Sequence, residues 1–245
     1  MDKLFICPTT KLCKYQTLTS EFLFLINNEA YKQRGNWIMK INSLTLQQAN
    51  VTIVYDNIDR DTISRDRFRK LLTERPIINE FPDILLVLYQ LNNTNIIFEN
   101  TKVSVNKPIN NDLDTAALLL AKLAKGAEES VEEGNVTAYG YNLNGIVIID
   151  QQDITVGKSF KDKFFIDQPD IENICNGKIE KVSPKFSIKN DECEINILLD
   201  TTPKDNEFIF SVNIHHDKNS VPNAESISEN IISKFELFKR ILEII

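Results

Sequence analysis

Two histidines, His215 and His216, are the whole imidazole supply of this chain. A mechanism that needs a histidine base near neutral pH has to use one of them. They close the run Phe208-Ile209-Phe210-Ser211-Val212-Asn213-Ile214, whose alternation reads as a strand of period two. Successive strand side chains point to opposite faces, so the pair is not placed to chelate one metal ion. His215 continues the set Ile209, Ser211 and Asn213, and Asp217 follows on the same side. A carboxylate in that position can orient an imidazole for proton transfer; the simpler reading is a solvated strand end.

The other chemistry-bearing patterns are weaker. Gly157-Lys158-Ser159 matches the end of a phosphate-binding loop, but Gln152 stands where the first glycine belongs. Asp56, Asp59 and Asp61 suggest calcium, yet a loop starting at Asp59 has Ile63 at a ligand position and Ser64 where glycine is required. Cys7, Cys13, Cys175 and Cys193 lack zinc-ligand spacing, and Cys193 falls on the apolar side of its strand. Arg60, Arg65, Arg67, Arg69, Lys70 and Arg75 are interleaved with Asp59, Asp61, Asp66 and Glu74, the pattern of a charged solvent face. No nucleophile elbow, HExxH or dinucleotide fingerprint occurs, and only seven glycines are available for wrapping a cofactor. The residues call for no cofactor and no metal. They leave open a catalytic site assembled from residues distant in sequence.

Composition sets the frame for the elements that position these residues. The 245 residues, 42% hydrophobic and 26% charged, are those of an ordinary ordered domain. A net charge of -7 repels a phosphate backbone, so nucleic acid is disfavoured as partner. The longest apolar runs, such as Phe22 to Ile26 and Ile84 to Tyr89, are far shorter than the ~20 residues of a membrane helix, and Leu4 to Cys7 is too short for a signal-peptide core. The expected setting is cytoplasmic with reduced thiols, and no membrane.

From Trp37 to Tyr55 the alternation changes phase once, which predicts two strands or one bulged strand. A short helix is expected over Asp61 to Glu74 behind Ser64 as N-cap. Ile84 to Leu91 reads as a central strand that feeds a meander through Ile96-Ile97-Phe98 and Val103-Val105. Leu113, Ala117, Leu120, Ala124, Ala127 and Val131 mark a helix to about Glu133, with Asn111 or Asp112 as N-cap, Gly126 as its weak point and Gly134 as its stop. Asn144-Gly145 predicts a type I′ hairpin between Val136–Leu143 and Ile146–Ile149.

Cys193, Ile195, Ile197 and Leu199, then Phe208, Phe210, Val212 and Ile214, form two strict alternations, and Val182, Phe186 and Ile188 add a third strand beside Pro184. The stripe Ile227, Ile231, Phe235, Phe238, Leu242 and Ile245 predicts a terminal helix that covers them.

These elements define an α+β fold, mainly antiparallel sheet covered by two long helices. The chain reads as one compact unit, 1–245. Strands followed by a helix occur twice, which suggests β-meander-plus-helix halves at 1–134 (N-terminal segment, strands, helix) and 135–245 (hairpin, three-stranded meander, helix). Beside its stripe the terminal helix carries Leu237, Ile241 and Ile244, a second apolar edge wider than one sheet requires. That edge suggests a non-catalytic binding or assembly protein that meets a protein partner or another copy of itself there. The alternative is a hydrolase or nuclease-like enzyme built from scattered carboxylates and His215.

Overall fold

The computed structural model describes residues 40–110, 112–150, 155–164, 173–179 and 181–244, within one compact unit, Met39–Ile245. The expectations that involve Trp37, Met39, the N-terminal apolar runs, Cys7, Cys13, Asn111 and Ile245 lie outside the described residues.

Among the described residues nine strands form one antiparallel sheet: β1 Ile41–Tyr55, β2 Ile77–Glu80, β3 Leu85–Tyr89, β4 Thr94–Phe98, β5 Lys102–Pro108, β6 Val136–Ile149, β7 Lys185–Lys189, β8 Glu194–Thr201 and β9 Glu207–His216. Their order is β2-β3-β4-β5-β1-β6-β9-β8-β7. Each half therefore has one long strand, β1 or β6, followed by a meander whose last strand, β5 or β9, returns to pair with it. The long strands join the halves at the centre of the sheet. Among the described residues the strands are connected by the α-helices α1 Arg65–Leu71, α2 Leu113–Glu128, α3 Val156–Phe164 and α4 Ala224–Leu242, together with the 3-10 turn Arg60–Thr62. The halves share one spacing at two positions near their start. Asn50 pairs with Asn142 across the centre, Phe68 of α1 and Phe160 of α3 are both fully buried, and the spacing is 92 in each case (142 − 50 and 160 − 68).

The helices cover one face of the sheet. Val51, Ile53, Tyr141, Leu143, Phe210, Val212, Ile195 and Ile197 alternate into that face and are buried, as strands with a single covered face require. Phe210 packs against Phe235 and Phe238 of α4, with ring centroids 6.5 and 4.4 Å apart. Ile227, Ile231, Phe235, Phe238 and Leu242 are buried along the same helix. The N-caps are Asp112, which accepts from the Thr115 N–H at 3.0 Å, and Asn223, which accepts from the Ser226 N–H at 2.8 Å.

Several local expectations change. β1 is a single strand with register shifts against β6, the bulged alternative. The strand over Ile84 to Leu91 is second from the sheet edge rather than central. α2 ends at Glu128, where the Ser130 hydroxyl donates to the Ala127 carbonyl. Gly134, at φ 126°, instead lets the backbone pass Asn57, whose carbonyl would lie 2.2 Å from an added Cβ.

The largest correction concerns Asn144-Gly145. These residues form no turn: β6 runs unbroken through them, held between Gln48 and Leu46 of β1 and Ser211 and Phe210 of β9. A Cβ on Gly145 would lie 2.2 Å from the Thr45 carbonyl oxygen and 2.6 Å from the Phe210 ring. The glycine serves close packing, and partners on both sides override the local turn preference. The expected hairpin in the second half is thus one strand. Gly126 likewise brings α2 against α1, since its added Cβ would lie 2.3 Å from Leu71 Cδ2.

Candidate recognition face of the sheet

The opposite face of the sheet has no helix on it among the described residues. Cross-strand register places one residue type in a row across it: Asn95 on β4, Asn106 on β5, Asn50 on β1, Asn142 on β6, Asn213 on β9 and Asn196 on β8. Neighbouring strands are about 4.8 Å apart, close enough for side-chain amides to bond directly. The Asn213 Nδ2 donates to Asn142 Oδ1 at 2.6 Å, Asn142 Nδ2 to Asn50 Oδ1 at 2.8 Å, Asn50 Nδ2 to Asn106 Oδ1 at 2.7 Å, and Asn106 Nδ2 to Asn95 Oδ1 at 2.9 Å. The Thr52 hydroxyl donates to Asn50 Oδ1 at 2.6 Å. Asn196 leaves the series and donates to Glu194 Oε1 at 2.9 Å.

The row follows the division into halves, because Asn50 and Asn142, Asn106 and Asn213, and Asn95 and Asn196 hold equivalent places. Each primary amide has two N–H donors and two acceptor lone pairs. Within the series a member uses one donor, one acceptor or both, so spare bonding capacity remains on the half-exposed members. Around the row stand Gln48, Thr52, Ser104, Gly140, Asn144 and Ser211. None of these side chains carries a charge. Ile209 and Leu198, 44% and 39% exposed, add an apolar margin toward β8.

His215 lies on this face beside the row, between Gly140 of β6 and Glu194 of β8. Its Nε2 bonds Asp217 Oδ1 at 2.8 Å, the arrangement read from the sequence. Hydrogen bonds from Asn196 and Ser187, with the charges of Lys189 and His215, hold the Glu194 carboxyl below its usual range against the opposing effect of burial. The site has an imidazole, two carboxylates and amides. His216 points to the other face, as strand alternation demands. It is 5% exposed, stacks on Tyr139 at 4.7 Å and donates from Nδ1 to the Glu192 carbonyl at 3.0 Å. Its Nε2 is buried without a hydrogen-bond partner, and burial pushes its pKa below the usual histidine value.

The remaining candidates are dispersed. Gly157, Lys158 and Ser159 form the start of α3, where the Thr155 hydroxyl accepts from the Lys158 N–H at 3.2 Å. Asp56 accepts from the Asn135 backbone N–H at 2.8 Å and side-chain amide at 2.9 Å, and Asp59 caps the 3-10 turn Arg60–Thr62. Among the described residues no group of three His, Cys, Asp or Glu is placed to hold a metal ion. Much of the arginine cluster has structural partners: Arg60 donates to the Phe81 and Pro82 carbonyls, Arg65 pairs with Glu80 at 2.6 Å, and Arg67 pairs with Glu129. Cys193 is buried and Cys175 exposed, both as free thiols.

On α4, Leu237 and Ile241 are half-buried and line a small apolar recess with Ile195, Ile197, Val212 and Ile214, while Ile244 is 47% exposed. The sequence shows asparagines in number but not their alignment, which exists only once six strands from both halves have paired. No helix among the described residues is long and apolar enough to cross a membrane. No protein-family model matches the chain, and no curated protein matches it.

Proposed function

We propose that this chain is a non-catalytic binding or assembly protein whose partner is a polypeptide, docked on the open face of the sheet. The observation that carries this reading is the uncharged amide row and its hydroxyl-rich surroundings at the centre of a face in a chain of net charge -7. Interface centres are depleted of charge, because desolvating an unpaired ion costs more than the contact returns. The row and the six residues around it include no lysine or arginine. Lys185 and Lys189 stand at the β7 edge of the face, too few to release the counterions of a phosphate backbone in a chain of net charge -7, which argues against nucleic acid. Five strands about 4.8 Å apart over about 27 Å of strand give roughly 650 Å² per partner, near the ~800 Å² of a standard interface. A cytoplasmic setting belongs to the same proposal.

The α4 edge of Leu237, Ile241 and Ile244 is the rival surface of the same reading. Affinity capture with Asn144→Lys/Ser211→Lys and with Ile241→Ser/Ile244→Ser separates the two. Loss of a stoichiometric protein partner only in the first variant supports the open face, and loss only in the second moves the interface to α4. If neither variant loses a partner that the parent retains, the docking proposal fails. The 2.8 Å bond between His215 and Asp217 favours one second reading, a hydrolase that uses His215 as base. Hydrolysis of an ester or phosphodiester that His215→Gln abolishes would establish it.

A further inference from the structure

The two halves of the sheet are not equally complete. In the first half β3 is covered on its outer side by β2, whereas its counterpart in the second half, β7, is the last strand among the described residues. Leu88 of β3 and Ser187 of β7 hold the equivalent places beside Asn95 and Asn196. The backbone bonds from the Leu199 N–H to the Pro184 carbonyl and from the Asn190 N–H to the Cys193 carbonyl fix the phase of the β7–β8 ladder. By antiparallel alternation Phe186 and Ile188 turn their backbone groups to β8, and Lys185, Ser187 and Lys189 turn theirs outward. The β2 edge is managed differently: it has four residues, lies between Pro76 and Pro82, and Arg65 holds its Glu80.

We propose that the outer edge of β7 accepts an extended segment of a partner polypeptide as a tenth, antiparallel strand. Register and charge specify the segment. Lys185, Ser187 and Lys189 project on the open face, and Phe186 and Ile188 on the core face. The complementary segment therefore reads acidic, apolar, small polar, apolar, acidic, and its central residue continues the amide row. A second copy's β7 does not fit, because a register centred on Ser187 sets Lys185 against Lys189 of the other chain. This inference does not depend on docking across the open face, and either can fail while the other stands.

The test is fluorescence anisotropy of a labelled, capped peptide, Thr-Glu-Val-Asn-Val-Glu-Thr, titrated with the full chain. Saturable binding with Kd below about 1 mM is expected, and the same peptide with lysine for both glutamates binds at least about tenfold more weakly. Ser187→Pro removes one outward N–H and leaves the bonds to β8, so it weakens binding about tenfold at unchanged melting temperature. Should that variant unfold, Lys185→Glu/Lys189→Glu keeps the backbone intact and reverses the preference between the two peptides. No saturable binding by the parent chain, equal affinity for both peptides, or unchanged binding by a folded Ser187→Pro chain overturns the proposal.

Discussion

Two adjacent histidines show how far a single side chain's role depends on its face. His215 and His216 are adjacent, yet one meets solvent and Asp217 while the other is enclosed by Tyr139 and Tyr141. Burial, aided by Lys234, Lys218 and His215 and opposed by the Glu192 bond, lowers the His216 pKa from its ordinary 6.5. The native state resists the proton and the unfolded chain accepts it. Between the lowered native value and 6.5 the unfolded state thus binds more protons, and stability falls as pH drops through that window. It is fully present above 6.5. Melting temperatures of the parent chain and His216→Gln from pH 8 to 5 should show a steeper acid-side decline in the parent. Asp56 and Asp112, whose carboxyls are lowered by hydrogen bonds, titrate further down and affect both proteins alike.

Elements with one covered face were legible from sequence because burial imposes a period. The alternations of β8 and β9 and the stripe of α4 occur where they were read, since a slip of one residue would turn every core side chain to water. Phe210→Ala is expected to cost about 3–5 kcal/mol in chemical denaturation, because it vacates the space against Phe235 and Phe238; Ile209→Ala, on the open face, should cost about 0.5 kcal/mol. Equal losses would mean that α4 does not cover β9. What stayed illegible has a different cause. Asn144-Gly145 has strong turn chemistry, and only the flanking β1 and β9 reveal why it is straight. The amide row draws on six strands, and only Asn95 and Asn106, 11 residues apart on β4 and β5, are neighbours within a short local window. His215 with Asp217 was legible because both lie within three residues on one strand end. The asparagine face to which they belong was not.

At the scale of the molecule the halves share one sheet and are not separable bodies. β1 and β6 pair from Ile41 opposite Ile149 to Tyr55 opposite Val136, and α2 packs beside α4 above them. Cutting between Gly134 and Asn135 would expose the full length of β1 as an unpaired edge and uncover the inner side of α2. Thermal unfolding followed by far-UV and near-UV circular dichroism should therefore coincide in one transition, and a fragment spanning residues 40–134 should aggregate. Two separated transitions would show that the halves fold independently.

The amide row also gives this face a direction. Each bonded asparagine turns its carbonyl toward β9 and its nitrogen toward β4, so the side-chain dipoles lie head to tail across the centre of the sheet. None of the three inner members, Asn142, Asn50 and Asn106, can rotate without breaking bonds on both sides, and reversal requires the whole series to turn together. A sheet built from two similarly ordered halves thereby presents a row of side-chain dipoles with one direction, positive toward β4 and negative toward β9. A molecule laid across it has two geometrically similar poses of unequal energy.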